Sequence, residues 1–301
     1  MKQDISVIIL TLNEEKHIER CIKSLQLFAK NIFIVDSYST DRTVEIAESL
    51  GAKVYLNKWP GNHAKQFQWG LDNCSIDTTW VMKMDADEYV LPELSNEITT
   101  NLMRLGNDIT GIYIKRRVFF LGKWIRYGGY YPTWLLRIWK YDKGHMEQRW
   151  MDEHIKLSSG KTVQFENDLV DDNKNNLTWW TEKHNNYATR EAVDLLNIIY
   201  NFKSYDEVEP NIFGTQEQKK RWLKIKYAKL PLFLRPIIYF TWRYFLKLGF
   251  LDGKAGFIWH VLQGGWYRFL VDAKINEIYF NAGKKRKDIE TFLFNEYGIK
   301  F

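Results

Sequence analysis

The chain has 301 residues, enough for one large domain or two modest ones with an ample core. Hydrophobic residues make up 45% and charged residues 27%, which excludes a disordered chain. Cys21 and Cys74 stand alone without metal-ligand spacing, which excludes a disulfide scaffold and points to a reducing compartment. A net charge of +6 favours an anionic partner, and 16% aromatic residues suggest sugar-stacking or membrane-interface surfaces.

Met1-Lys2-Gln3-Asp4 precede only a short apolar run, too brief for a signal peptide or a spanning helix, so the N-terminus is expected to be cytoplasmic. Ile5–Leu12 is a continuous β-branched run, the pattern of a strand buried on both faces of a parallel sheet. Asn13 is expected to cap a helix in which Ile18, Cys21, Ile22 and Leu25 recur at helical spacing. Ile32–Val35 reads as a second strand, ended by the polar run from Asp36 to Asp41. Thr43–Leu50 is helical and stopped by Gly51, with Asp41 as its cap; Lys53–Leu56 is a third strand and Lys65–Asp72 another helix. Val81–Met84 ends a fourth strand, and Asp85, Asp87 and Glu88 arrive where it should stop.

This alternation predicts an α/β fold with a parallel, doubly wound sheet, in which ligands bind beyond the carboxyl ends of the strands. Asn13, Asp36 and the Asp85/Asp87 pair all fall at such ends and so converge on one rim. Two carboxylates spaced by one residue point to the same side of an extended backbone and repel each other unless water or a cation intervenes. Mg²⁺ or Mn²⁺ suits such a pair, because a hard ion takes one or two protein carboxylates and leaves other positions to substrate phosphates. A solvated acidic turn would explain the pair alone but not the convergence.

The ordered segments SVIILTLNEEKHIERCIKSL, FIVDSYSTDRTVEIAESLGAKV and VMKMDADEYV resemble inverting family-2 glycosyltransferases with the GT-A fold. The pattern is similar to that of bacterial lipopolysaccharide-core and surface-polysaccharide glucosyltransferases, over roughly residues 5–160. The resemblance implies a mixed, mostly parallel sheet flanked by helices and a UDP-sugar donor. It places Leu12, Asn13 and Glu14 beside the nucleotide and has Asp36 accept from N3–H of a uracil ring. It sets Lys65 and Gln68 against the nucleotide, and gives Asp87 the metal directly, with Ala86 between it and Asp85, which serves the ribose or the metal shell.

In the acceptor half, Ile112–Val118 alternates like a strand, and Tyr130, Tyr131 and Trp134 offer flat faces to sugar rings, with ordinary core packing as their bland alternative. Gly128-Gly129 permits close backbone approach. Arg137, flanked by apolar residues, is expected to have an anionic or carbonyl partner such as the donor phosphate. Inverting transfer needs one carboxylate to take the acceptor proton; the resemblance maps that base to Glu153, with Asp152 as rival because the order Asp-Glu-His departs from the commoner pairs. His154 orients the base or satisfies a backbone carbonyl. Ser158–Lys161 reads as a hairpin turn and residues 168–176 as a polar loop.

Leu177–Leu196 opens a helical region capped by Thr178, in which His184 is a candidate further metal ligand or a packing residue. Lys219–Lys247 contains no acid, and basic residues interrupt every apolar run, so no clean span of about 20 apolar residues forms. Basic residues interleaved with aromatic and aliphatic ones fit helices lying on an anionic membrane surface. Nucleic acid is not an expected partner, since the sheet rim is acidic. The expected organisation is a catalytic domain over residues 1–176, with a nucleotide-sugar half (1–105) and an acceptor half (106–176), followed by a basic, aromatic helical region over 177–301. The expected acceptor is a lipid-linked or lipopolysaccharide-core saccharide, with the enzyme peripheral on the inner face of the cytoplasmic membrane. A non-catalytic saccharide-binding protein, or a transferase acting on a soluble or protein-linked glycan, are the alternatives.

Overall fold

The computed structural model describes residues 2–147, 154–203 and 209–300. The chain divides into two compact units; most of the residues up to 175 form the first, and residues 127–129 join those from 176 onward in the second.

The first unit is built on β1 (Gln3–Thr11), α1 (Ile18–Leu25), β2 (Ala29–Asp36), α2 (Thr43–Ser49), β3 (Lys53–Leu56), α3 (His63–Asn73) and β4 (Trp80–Asp85). Next come β5 (Glu88–Val90), α4 (Pro92–Asn101), β6 (Ile109–Phe120), β7 (Lys123–Ile125) and β8 (Thr133–Lys140). The unit ends with β9 (Gly144–Met146), β10 (Ile155–Leu157) and β11 (Lys161–Asp171). Among the described residues, nine strands form one sheet in the order β3-β2-β1-β4-β8-β6-β11-β5, with β7 paired to β6. The ladders β1·β2, β1·β4 and β2·β3 are parallel, and β6·β11 is parallel too; β8 runs antiparallel to both β4 and β6.

Strand alternation sends successive side chains to opposite faces. Val7, Ile9 and Ile34 face a core shared with Ile18, Ile22 and Leu25 of α1 and with Leu94 and Ile98 of α4. Ile8, Phe33 and Val35 face the other, shared with Phe67 and Leu71 of α3 and with Met146 and Ile155 of the β9/β10 hairpin. The register of β1 with its neighbours is strongly specified, because a one-residue slip would exchange the two faces. It sets Thr11 opposite Asp36, and Leu10 opposite Asp85, so the polar ends of β1, β2 and β4 lie side by side.

Several local expectations are corrected. Asn13 sits at φ 57 and caps no helix; α1 begins only at Ile18. Ser158–Lys161 is no hairpin turn, since β10 pairs with β9 while β11 crosses to β6 and β5. Residues 168–171 are strand rather than loop: Asp168 pairs in register with Lys115 and is buried. The polar sequence of β11 is misleading because its acids are paid for by Lys115, Arg116 and Arg117 on the adjacent strand.

The second unit is helical: α5 (Leu177–Tyr200), α6 (Gln216–Ala228), α7 (Leu234–Thr241), α8 (Gly253–Trp259), α9 (Tyr267–Ala282) and α10 (Arg286–Tyr297). Asn176, not Thr178, caps α5, accepting from the Trp179 amide at 2.9 Å. Ala188, Ala192 and Leu195 of α5 pack on Val271, Ile275 and Ile278 of α9, and on Ile289 and Leu293 of α10. Within this core Arg235 and Asp272 are both fully buried and joined at 2.5 Å. Removing either partner leaves a buried charge uncompensated, at a cost of about 3–5 kcal/mol. Gly128 and Gly129 adopt φ near +70°, and a Cβ at Gly128 would meet His260 Cε1 at 2.0 Å. The close approach that Gly128 permits is therefore to the protein's own imidazole.

Candidate active site

The rim begins with two loops locked to each other. After β1, the Asn13 amide donates to Ser39 Oγ and Asn13 Oδ1 accepts from the Thr40 amide, both at 2.8 Å. One step on, the Glu14 amide donates to Thr43 Oγ1 at 2.7 Å, and the Glu15 amide to Asp41 Oδ2 at 3.1 Å. Local side-chain-to-backbone bonds of this kind suit Asn, Asp, Ser and Thr, which is why both loops are rich in them. Leu12 is left exposed at the crest. Glu14 is turned back toward His17, Oε2 to Nδ1 at 2.7 Å. Since His17 Nε2 accepts from the Lys174 amide, the proton of the neutral ring belongs on Nδ1, donated to Glu14.

Asp36 is fully buried, and its carboxylate accepts from Thr11 Oγ1 (2.7 Å), the Ser39 amide (2.7 Å) and Ser39 Oγ (2.5 Å). Its observed work is to shape the β2 loop. Arg42, not Asp41, is the N-cap of α2; Asp41 accepts from both the amide and the hydroxyl of Thr43, and those bonds help hold its carboxyl below the usual range although burial opposes this. On α3, Lys65 is exposed, and Gln68 is spent internally, bonding Asp72 and the Met146 amide. The glutamine on the rim is Gln66: buried, it donates to Ser37 Oγ and to the Asn57 carbonyl, and accepts from Asn57 Nδ2 at 2.7 Å. The helical period that puts Gln66 toward β2 and β3 was visible in the sequence, but the contact with Asn57 was not.

At the end of β4, Asp85 and Glu88 share Arg137, which reaches across from β8. The guanidinium lies 3.4 Å from Asp85 Oδ2 and in short contact with Glu88 Oε1, while the Asp85 amide donates to Glu88 Oε2 at 3.0 Å. Arg137 and Glu88 are buried, whereas the Asp85 side chain is 47% exposed. The anionic partner expected for Arg137 is thus inside the chain. Burial pushes the Glu88 carboxyl up to about 8, the Asp85 charge adding to it and Arg137 opposing. For Asp85, the charges of Arg137, Lys83 and Arg116 outweigh burial and hold the carboxyl well below its ordinary range. Two carboxylates thus share the Arg137 guanidinium, with Lys83 and Arg116 adding positive charge to Asp85 and burial favouring a proton on Glu88.

Asp87 is held differently. Its carboxylate accepts from Asn173 Nδ2 at 2.9 Å, and its backbone carbonyl accepts from Arg20 and from the Asp172 amide, both at 3.2 Å. Arg20, stacked over Tyr89 at 4.4 Å, also binds the Asp172 carboxylate at 2.8 Å. One residue of α1 therefore ties the turn after β4 to the end of β11, a clamp that no sequence spacing announced. Cys21 lies beneath, its thiol 3.7 Å from the Asp85 carbonyl and pushed well up, chiefly by burial.

Among the described residues no cluster of three His, Cys, Asp or Glu side chains could enclose a metal ion. A Mg²⁺ or Mn²⁺ that takes most of its ligands from a diphosphate and water does not need one. The half-exposed, ionised Asp85 and the Asn173-braced Asp87 carry carboxylate oxygens of the right hardness, so the pair fits such an ion. His184 sits in the second unit in an aromatic setting, stacked on Trp180 at 3.5 Å, its Nδ1 2.8 Å from the Trp180 carbonyl. Burial pushes the imidazole down to about 4, so it is uncharged at neutral pH.

The acceptor-half aromatics gather around β6 to β8. Tyr131 Oη donates to both oxygens of buried Asp168 at 3.1 Å, and its ring meets Trp124 edge-on at 4.9 Å. Lys115 lies 5.5 Å over the Trp134 ring. Tyr130 accepts at its carbonyl from Thr133 Oγ1. Asp152 and Glu153 lie outside the described residues, but their frame does not: β9 and β10 pair antiparallel on either side of residues 148–153. Buried Glu147 closes that frame, its amide bonding the His154 carbonyl and its Oε2 accepting from the His154 amide at 3.2 Å. Glu147 was missed in the sequence because nothing in it distinguishes a buried glutamate from a surface one.

A parallel half with interlocked loops and an acidic strand end, continued by a half in which β8 and β6 run antiparallel, defines a GT-A architecture. The family model for Glycosyl transferase family 2 matches residues 6–173, and the chain belongs to that family. It is 28% identical over 310 residues to the lipopolysaccharide core biosynthesis glycosyltransferase LpsC of Rhizobium meliloti (strain 1021), covering 97% of this chain and 98% of that protein. It is 29% identical over 286 residues to an uncharacterized glycosyltransferase of Rickettsia typhi (strain ATCC VR-144 / Wilmington), covering 91% of this chain and 87% of the relative. An uncharacterized glycosyltransferase of Rickettsia bellii (strain RML369-C) is 44% identical over 98 residues, which span 33% of this chain and only 32% of the relative. Among solved structures, glucosyl-3-phosphoglycerate synthase of Mycobacterium tuberculosis, in complex with Mn²⁺ and UDP-glucose, shares 24% identity over 38% of this chain and 43% of that one, with a TM-score of 0.32.

Proposed function

We propose that this chain is an inverting hexosyltransferase that moves a sugar from a UDP-activated donor to a hydroxyl of a lipid-linked or lipopolysaccharide-core saccharide. The observation that carries the reading is the meeting of three strand ends, in which the loops after β1 and β2 are bonded together beside Asp85 and Asp87. The similarity to LpsC along nearly the whole chain supports the acceptor class.

Leu12, Asn13 and Glu14 would line the nucleotide, over a base platform shaped by Asp36 and Gln66, with exposed Lys65 within the same loop-and-helix group. Asp87 and Asp85 would hold Mg²⁺ or Mn²⁺, which when bound supplies positive charge to the departing diphosphate. Arg137 keeps Asp85 ionised and in place. Tyr130, Tyr131 and Trp134 would present apolar faces to the acceptor sugar, a common use of aromatic rings with one polar edge. Glu153 takes the proton from the acceptor hydroxyl as that oxygen bonds to the sugar C1 and the C1–O bond to UDP breaks; Asp152 is its neighbour. With an acceptor anchored in lipid, the enzyme would work at a membrane surface, read here as the inner face of the cytoplasmic membrane.

A thermal-shift series tests the donor: a UDP-hexose with Mn²⁺ raises the melting temperature, as any ligand of the folded state does, while either one alone raises it less. No response to any nucleotide sugar with or without a divalent ion overturns the reading. For the base, Glu153→Gln lowers kcat by about a thousandfold, with the donor-induced melting shift intact. If Asp152→Asn alone does this, the roles of the two residues exchange.

A further inference from the structure

The segment from α7 to α8 is folded inside out. Its charged residue Arg235 is fully buried against Asp272, while Ile237 is 61%, Phe245 54% and Leu246 71% exposed. Leu234, Ile238, Trp242 and Phe245 recur at three- and four-residue spacing and all face outward. After the left-handed Leu248, a short 3₁₀ turn (Gly249–Asp252) adds exposed Phe250 and Leu251 and α8 adds Phe257, and the rings of Phe245, Phe250 and Phe257 all meet Tyr244. Isolated exposed apolar residues are ordinary, but a continuous face of this kind marks an interaction surface.

Its charge identifies the occupant. From Lys219 to Lys254 the only acid is Asp252, and that side chain is buried, accepting from the Tyr127 amide at 2.9 Å. Lys229, Lys247 and Lys254, which precede and interleave with the apolar residues along the chain, are exposed. Apolar side chains interleaved with cations suit a bilayer surface with anionic headgroups, where the rings and aliphatic chains enter the acyl boundary and the lysines remain among the phosphates. No helix among the described residues is long and apolar enough to cross a membrane, so the segment is suited to lie in the interface rather than to span it.

We infer that residues 234–257 form a bilayer-inserting face, with Phe245 and Leu246 at its deepest point. This deepens the proposed action on a lipid-linked acceptor, but it can fail independently of it. The test uses the full-length protein carrying Leu246→Cys labelled with an environment-sensitive fluorophore; native Cys21 and Cys74 are buried. Vesicles of phosphatidylglycerol and phosphatidylcholine are expected to shift the emission to the blue, and a label at Met103→Cys, exposed in the first unit, stays unchanged. The double variant Phe245→Glu/Leu246→Glu loses at least about tenfold in vesicle affinity, while keeping its melting temperature and its response to UDP-sugar with Mn²⁺. Unchanged emission with vesicles, or a blue shift that grows with protein concentration in their absence, overturns the inference, the latter in favour of a second copy of the chain. A lost UDP-sugar response with vesicle binding intact would instead sink the transferase reading alone.

Discussion

Asp87→Ala is expected to abolish sugar transfer, by at least about a thousandfold in kcat/KM, and to remove the extra melting-temperature rise that Mn²⁺ adds to a UDP-sugar. The fold should survive it. The bond from the Asp87 carboxylate is to the neutral amide of Asn173, and the backbone carbonyl that Arg20 holds is untouched by the substitution. Asp85→Ala would be a less clean experiment, since it also removes a carboxylate from Arg137 and leaves that guanidinium with Glu88 alone. This difference in surroundings favours Asp87 as the direct ligand and Asp85 as the residue that sets the local charge. Turnover retained in Asp87→Ala with unchanged dependence on the divalent ion would rule the assignment out.

The second large effect is on stability. Above about pH 8, where Glu88 is ionised, Arg137→Met should cost about 3–5 kcal/mol, because it leaves that buried carboxylate without its counter-ion. The sign of its pH dependence follows from Glu88, whose folded carboxyl burial already raises from 4.5 to about 8. The unfolded chain gives up this proton first, so the stability that a protonated Glu88 contributes is fully present below 4.5 and lost as pH rises through the folded value. Losing Arg137 moves that folded value further up, so the variant should be penalised more at pH 8 than at pH 5. Adding Glu88→Gln should restore part of the loss, since a neutral amide needs no counter-ion, and the double-mutant cycle measures the coupling. Urea midpoints at the two pH values provide the measurement; a variant as stable as the parent at pH 8 would contradict the pairing.

The reading of the first unit from sequence succeeded where one local pattern decides the outcome. Continuous β-branched runs at Ile5–Leu12 and Ile32–Val35 have no place but the centre of a sheet, and the polar residues that stop them must then stand at its rim. Errors arose where a residue's partner lies far along the chain. Asp168 and its neighbours look like a solvated loop until Lys115 and Arg117 are set beside them by the β6·β11 register. Gln68 and Gln66 differ in sequence only by half a helical turn, and only the fold shows that Gln66 bonds Ser37 and Asn57 while Gln68 bonds Asp72 and the Met146 amide.

What the sequence by itself determined, then, is the order of strands and helices as far as β4, the acidic end of that strand and the acid-poor, aromatic character of the later helices. These follow from periodicity and from the chemistry of side chains taken in short windows. Only the tertiary structure decided that Arg137 serves Asp85 and Glu88, that Arg20 clamps the Asp87 turn to β11, and that α7 turns its arginine inward and its isoleucines out. Each of those rests on a contact between residues distant in the chain or on which side of a helix is covered, and neither is written in local pattern.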